Sequence, residues 1–173
     1  MCRFAAYVGS AIPLGRVVVD PEHSLLEQSQ NANEAKLAVN GDGFGVAWYG
    51  DDEEPGIYHD VLPAWSDGNL LSLCRMIRSP VFLAHVRAST VGETSRANCH
   101  PFSVGRWSFM HNGQIADFGK IRRRLEASLP DELYNLRRGH TDSEFMFLLA
   151  LAHGLDSGHY RALREAINQI DIE

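Results

Sequence analysis

Cys2 stands one place behind the initiator methionine and directly ahead of Arg3-Phe4-Ala5-Ala6-Tyr7-Val8, a run that reads as a strand. Cells trim the initiator when the next side chain is small. Trimming leaves Cys2 with its thiol and a basic α-amine on one carbon. The first strand is thus read as beginning at the nucleophile. A thiol titrates near ~8.5 and an α-amine at roughly 7.7–8.0, so the amine is partly deprotonated at neutral pH. It can take the thiol proton, as the amine of an N-terminal threonine does. With Met1 retained, the Cys2 nitrogen is a peptide amide and the chain is an unprocessed, inactive form. A thiol on a first strand also packs as a small hydrophobe. Cys2 therefore matters only if the chain supplies an oxyanion hole, a cation for a carboxylate and an anion for an ammonium group.

The 173 residues suit one domain with a substantial core, and 45% hydrophobic with 22% charged residues describe an ordinary globular protein. A net charge of −6 without a long basic run argues against nucleic acid as a partner. Arg122-Arg123-Arg124 reads as the wet face of a helix. No apolar stretch reaches the ~18 residues of a membrane span, and no signal peptide precedes the charged Arg3. Cys2, Cys74 and Cys99 are an odd, widely spaced set that fits neither a disulfide framework nor structural zinc. A cytoplasmic location fits best.

Strands are expected at Cys2 to Val8, Phe44 to Tyr49, Ile57 to Asp60, Val81 to Arg87 and Trp107 to His111. The third pairs back on the second as a hairpin partner. Val81 to Arg87 is nearly continuous in apolar residues and predicts a central strand covered on both sides. Pro13 to Val19 reads as a connector and Asn31 to Asn40 as a polar loop. Helices are expected after Asp20-Pro21, after Ser66-Asp67 up to a break at Pro80, from Phe118 to a stop at Pro130, from Thr141 to Leu155, and from Tyr160 to Ile170. Hairpin-paired strands with helices in separate blocks predict an α+β fold. No GxGxxG or P-loop follows a strand, so no nucleotide cofactor is indicated. Gly41-Asp42-Gly43-Phe44-Gly45 fits a tight turn and a close backbone approach to a ligand equally well.

Four constellations carry chemistry. Asn112-Gly113 is a hairpin signal, yet Gln114-Ile115-Ala116-Asp117 makes a poor return strand before Asp117 caps a helix. An Asn amide and a Gly N–H are donors of the kind that stabilise a tetrahedral oxyanion, each worth roughly 2.7–4 kcal/mol. Arg87 ends the apolar strand, either where that strand surfaces or as a bidentate clamp for a substrate carboxylate. Thr90 could add a hydroxyl. Thr141-Asp142-Ser143-Glu144 is a capping box that also offers the Asp142 carboxylate to an ammonium group. Cys99 and His100 are adjacent on an extended loop and point apart, so they make a poor nucleophile–base pair. His85, His100, His111 and His140 lack metal-ligand spacing, and Cys74 reads as core. Taken together, Cys2, two oxyanion donors, a cation and an anion describe a pocket for glutamine.

The motifs MCRFAAYVG, NGDGFGVAWY, IRSPVFLAHVRAST, NCHPF, FMHNGQI and HTDSE resemble, in order, those of the class II glutamine amidotransferases, which are N-terminal nucleophile hydrolases. The branch most similar contains stand-alone bacterial proteins and γ-glutamyl hydrolases of glutathione degradation and the ergothioneine pathway. The resemblance implies a four-layer αββα sandwich and a γ-glutamyl thioester on Cys2 that water hydrolyses to glutamate. It implies Arg87 and Asp142 as ligands of the substrate backbone groups, and Asn112 and Gly113 as the oxyanion hole. Ala88 and Val91 depart from the pattern of synthase-fused members, which carry Trp and His there. Five or six strand candidates predict that the single domain, 1–173, lacks the C-terminal strands of the full family domain. No synthase domain follows, so an ammonia acceptor site lies on a partner chain or there is none, and a homo-oligomer is compatible. The rival readings are a γ-glutamyl peptide or conjugate hydrolase and a non-catalytic binding subunit that keeps the fold.

Overall fold

A computed structural model describes residues 2–30, 41–88 and 94–172. The chain forms two compact units, Met1–Asn112 and Gly113–Glu173.

The first unit is built on a four-stranded antiparallel sheet of β1 (Arg3–Pro13), β2 (Phe44–Tyr49), β3 (Gly56–Asp60) and β4 (Arg78–Val86), in the order β1-β4-β2-β3. Period-two alternation decides what each face carries. One face presents Val46, Phe82, Ala84 and Val86 to a core shared with Leu14, Val18, Leu25, Leu70 and Cys74. Those residues come from or flank α1 (Gly15–Val18), α2 (Leu25–Gln30) and α3 (Gly68–Met76). β4 is central, as its apolar run predicts. A second sheet pairs β5 (Phe102–Val104) with β6 (Trp107–Phe109). It is tied to the opposite face of the first, where the Tyr49 hydroxyl donates to the carbonyl of Arg106 at 2.9 Å.

In the second unit α4 (Phe118–Ser128), α5 (Asp131–Leu136), α6 (Asp142–Ala152) and α7 (His159–Ile172) pack together. α6 buries Phe145, Phe147, Leu148, Leu149 and Ala150, in keeping with its apolar circumference. Gln169 on α7 bridges His153 and Ser128, each at 2.8 Å. The Arg122 side chain turns to Glu126 one helical turn away, at 2.8 Å.

Several boundaries differ from expectation. β1 runs on to Pro13 and α1 follows, where a connector was expected. α2 is capped by Ser24, whose Oγ accepts from the Glu27 N–H at 3.1 Å, and not by Asp20. Pro80 lies inside β4 instead of breaking a helix. It falls opposite the irregularity between Val8 and Ile12 of β1, where the ladder asks for no N–H. Asp117 precedes α4 with a left-handed backbone and makes no side-chain cap; its carboxylate pairs with Lys120 at 3.0 Å. The expected loop at 31–40 lies outside the described residues. Asp67 does cap α3, accepting from Leu70 N–H at 2.9 Å.

The face of the sheet away from α1–α3 carries a row of imidazoles. His59 and His85 both pair in register with Gly45, from opposite sides. His100 stacks on His85 with ring centroids 4.4 Å apart. A Cβ on Gly45 would come within 2.2 Å of the His100 carbonyl and 2.3 Å of the His59 ring. Only glycine fits there. Among the described residues, neither ring nitrogen of His85 or of His100 has a hydrogen-bond partner. Burial lowers the pKa of both far below the ordinary value. For His85 the nearby Arg87 and His59 add to this, and for His100 so do His85, His111, Arg87 and His59.

The folded chain therefore refuses protons that the unfolded chain takes up below about pH 6.5. Stability is complete above that pH and is lost as pH falls. The loss from pH 7 to pH 5 is expected to be roughly 2 kcal/mol per histidine. Urea midpoints measured across this range should drop, and His85→Phe should flatten the profile. A flat wild-type profile would contradict neutral burial.

Candidate active site

Antiparallel pairing of Arg3 with Val86 delivers Cys2 to the end of β4, beside Arg87 and Ala88. There one residue clasps the sulfur. The Cys2 thiol donates to the Ala88 carbonyl at 3.6 Å, and the Ala88 N–H points back at Sγ at 3.4 Å. The Asn112 amide donates to the Cys2 carbonyl at 3.0 Å, which fixes the backbone of the same residue. An amide nitrogen carries two protons, so this bond leaves a second N–H for another acceptor.

Arg87 follows Val86, whose side chain is in the core, and so belongs to the opposite face with His85. It is buried. Its backbone is held on both sides by the glycine-rich loop: its N–H donates to the Gly43 carbonyl at 2.8 Å and its carbonyl accepts from the Asp42 N–H at 3.1 Å. Its guanidinium donates to the Asp42 carbonyl at 3.4 Å. Gly43 has φ of 112°, and a Cβ there would meet Cys99 Sγ at 2.7 Å and the Asp60 carbonyl at 2.8 Å. Gly43 thus serves both a strained turn and a close packing contact.

The first unit brings together Cys2, Arg87 and Asn112. Gly113 and Asp142 belong to the second unit, and Thr90 lies outside the described residues, as does Val91. Thr141 caps α6 by accepting from Glu144 N–H at 3.1 Å. Glu144 does not reciprocate as in a full capping box; its carboxylate accepts from the N–H groups of Arg138 and Gly139, both at 2.8 Å. The Asp142 carboxylate accepts from Ile115 N–H at 2.7 Å and Ser143 N–H at 2.8 Å, so donors fix its orientation. Asn112-Gly113 is not followed by a strand among the described residues, which removes the hairpin reading.

Cys99 is fully buried, and its thiol faces the carbonyls of Asp60 and Ser95 at 3.5 and 3.6 Å. Burial pushes the Cys99 thiol up to about 11 and the Cys74 thiol up to about 12. Neither has the thiolate character of a nucleophile.

Sequence reasoning missed the Ala88 backbone as the clasp of the sulfur and Gly43 as the holder of Arg87. Counting in twos back from Arg87 would have put His85 on the same face.

The family description "Glutamine amidotransferases class-II" matches residues 18–170. The chain belongs to the class II glutamine amidotransferases. The match takes in Arg87, Asn112, Gly113 and Asp142, and Cys2 lies ahead of it. The probable glutamine amidotransferase DUG3 of Saccharomyces cerevisiae is 41% identical over 160 residues, 87% of this chain and 45% of that protein. The gamma-glutamyl-hercynylcysteine sulfoxide hydrolase of Mycolicibacterium smegmatis is 30% identical over 159 residues, 91% of this chain and 65% of its own. The chain thus spans between 45% and 65% of the length of these two relatives. A solved glutamine aminotransferase class-II domain protein from Silicibacter pomeroyi superposes with a TM-score of 0.73 at 38% identity, over 98% of this chain and 63% of that one. The α+β reading of this amidotransferase domain holds.

Exposure and thiol chemistry order the three cysteines. In native protein at neutral pH, peptide mapping after iodoacetamide should find Cys2 alkylated, and Cys74 and Cys99 only after denaturation. Alkylation of Cys99 at the rate of Cys2 would contradict this.

Proposed function

We propose that this chain is a glutamine amidotransferase-type hydrolase that cleaves a γ-glutamyl amide bond through a thioester on Cys2. The observation that carries the reading is the seating of the Cys2 sulfur against Ala88, one residue from the buried Arg87. In this mechanism Met1 has been removed and the α-amine of Cys2 takes the thiol proton. Sulfur attacks the δ-carbonyl of the donor, and the oxyanion is met by the Asn112 amide and the Gly113 N–H. The protonated amine then gives its proton to the departing ammonia or amine. Water repeats the cycle on the thioester and releases glutamate. Arg87 binds the α-carboxylate, Thr90 adds a hydroxyl, and the Asp142 carboxylate takes the α-ammonium.

Two related donors fit this chemistry, glutamine and a γ-glutamyl peptide or conjugate. Ala88 stands where the synthase-fused members carry Trp, and that departure favours the conjugate over free glutamine. The relatives divide in the same way, one named an amidotransferase and the other a γ-glutamyl conjugate hydrolase. A partner synthase subunit that takes up released ammonia is compatible with this reading, as is the absence of any acceptor. Residues 1–173 belong to one catalytic domain in this reading, and a homo-oligomer is compatible with it. No helix among the described residues is long and apolar enough to cross a membrane, which is compatible with a cytoplasmic setting.

A glutamine-mimicking diazo-ketone should add to Cys2, and Cys2→Ala should abolish both labelling and turnover while Cys99→Ala abolishes neither. Labelling at Cys99, or none in Met-free protein, would overturn the mechanism. Arg87→Lys should raise KM at least about tenfold with a smaller change in kcat, because a point charge does not replace a bidentate fork. Turnover of glutamine measured beside a γ-glutamyl dipeptide identifies the donor.

A further inference from the structure

The backbone of Arg87 is held by Gly43 and Asp42, and Gly43 is held in turn by residues with no part in the chemistry. Asp60 closes β3, paired in register with Phe44, the residue after Gly43. Its Oδ1 accepts from the N–H groups of Val61 and Leu62 at 2.7 and 3.1 Å, which turns the chain. Its Oδ2 accepts from the Arg96 guanidinium at 2.6 Å. Arg96 opens a 3-10 turn, Arg96–Asn98, and the Cys99 N–H donates to the Arg96 carbonyl at 3.1 Å. Cys99 then sets its sulfur and the Asp60 carbonyl against the face of Gly43 where a Cβ would stand.

We propose that Asp60 and Arg96 are a positioning pair that sets the end of β4, and so the alignment of Arg87 with the carboxylate of the acyl donor, by clamping Cys99 onto Gly43. The functional half of this inference rests on Arg87 being the carboxylate ligand. Two features favour a positioning role over a surface ion pair. The carboxylate is 10% exposed, and two backbone N–H groups and one guanidinium meet three of its four lone-pair sites. The Leu62 N–H, the Arg96 guanidinium and the Val61 N–H together hold its pKa below the ordinary carboxylate value against the opposing effect of burial. Arg96 is itself 68% exposed, so the relay runs from a solvent-facing guanidinium to the buried Arg87 backbone in a few contacts. Neither side chain touches the donor in the proposed mechanism, which separates their signature from that of Arg87 itself.

The test compares wild type with Asp60→Asn, Arg96→Gln and the double variant. Arg96→Gln alters an exposed side chain, so it keeps the test open if Asp60→Asn fails to fold. Amide hydrogen exchange reads the relay directly. Exchange at Arg87 and Asp42 should accelerate at least about tenfold in each variant, with amides of α6 unchanged. Unchanged exchange at Arg87 in a folded variant overturns the proposal. Alkylation of Cys2 by the diazo-ketone reads the consequence. Its half-saturating concentration should rise about tenfold, its limiting rate should stay within about twofold, and the double variant should be no worse than either single. Arg96→Lys should restore part of the loss. A lowered Tm with unshifted half-saturation would mean a merely structural pair and would also overturn it. If wild type itself is not alkylated at Cys2, the functional reading has failed, and the exchange measurement alone decides whether the relay exists.

Discussion

The pairing of β1 with β4 is the contact on which the candidate site depends. Its register sets Arg3 opposite Val86 and thereby lands the chain's second residue beside Arg87 and Ala88. A slip of one residue would exchange the two faces of β1, turning Phe4 and Ala6 toward the helices and Ala5 and Tyr7 away. That slip is resisted by Tyr7, which stacks on the fully buried Phe82 at 4.9 Å, and by the core that Ala84 and Val86 share with α2 and α3. Hydrophobic packing on one face thus determines the position of the sulfur at the strand's end.

The opposite face is organised differently. Glycine at 43 and 45 lets neighbouring groups approach the backbone of β2 more closely than a side chain would allow. At Gly43 the visitor is Cys99, and the consequence is a fixed Arg87. At Gly45 it is His100, whose ring continues onto His85. Neutral imidazoles buried without partners cost stability as pH falls. They also lie one step along the face from the Arg87 row, so the sheet carries its acid sensitivity next to its candidate chemistry.

Much of this was legible from residues alone, for reasons that differ by element. Phe44 to Tyr49 and Val81 to Arg87 are long apolar runs whose burial on a central pair of strands leaves little choice. Asp67 and Thr141 could be read because a cap side chain meets an N–H three residues on. The same rule applied to Ser24 and Glu27 identifies the cap of α2, but the Asp20-Pro21 signal competes with it in the sequence. Pro80 misleads because proline is read as a breaker, and only the partner strand reveals the irregularity that accommodates it. β5 and α5 are too short to show a period. At the site, Cys2, Arg87 and Asn112 could be assembled from residue type and motif order. The Ala88 clasp could not, because backbone groups leave no trace in side-chain identity.

One measurement bears most directly on the claim that a thiol and an amine on the same residue perform the acyl transfer. Protein turning over a γ-glutamyl donor is quenched in acid and weighed intact, then as peptides, with the Cys2 α-amine either exposed or chemically blocked. The account predicts a γ-glutamyl adduct confined to the N-terminal peptide of the exposed form, and no adduct or turnover in the blocked form. Equal turnover with the amine blocked, or an adduct on any other residue, would contradict it.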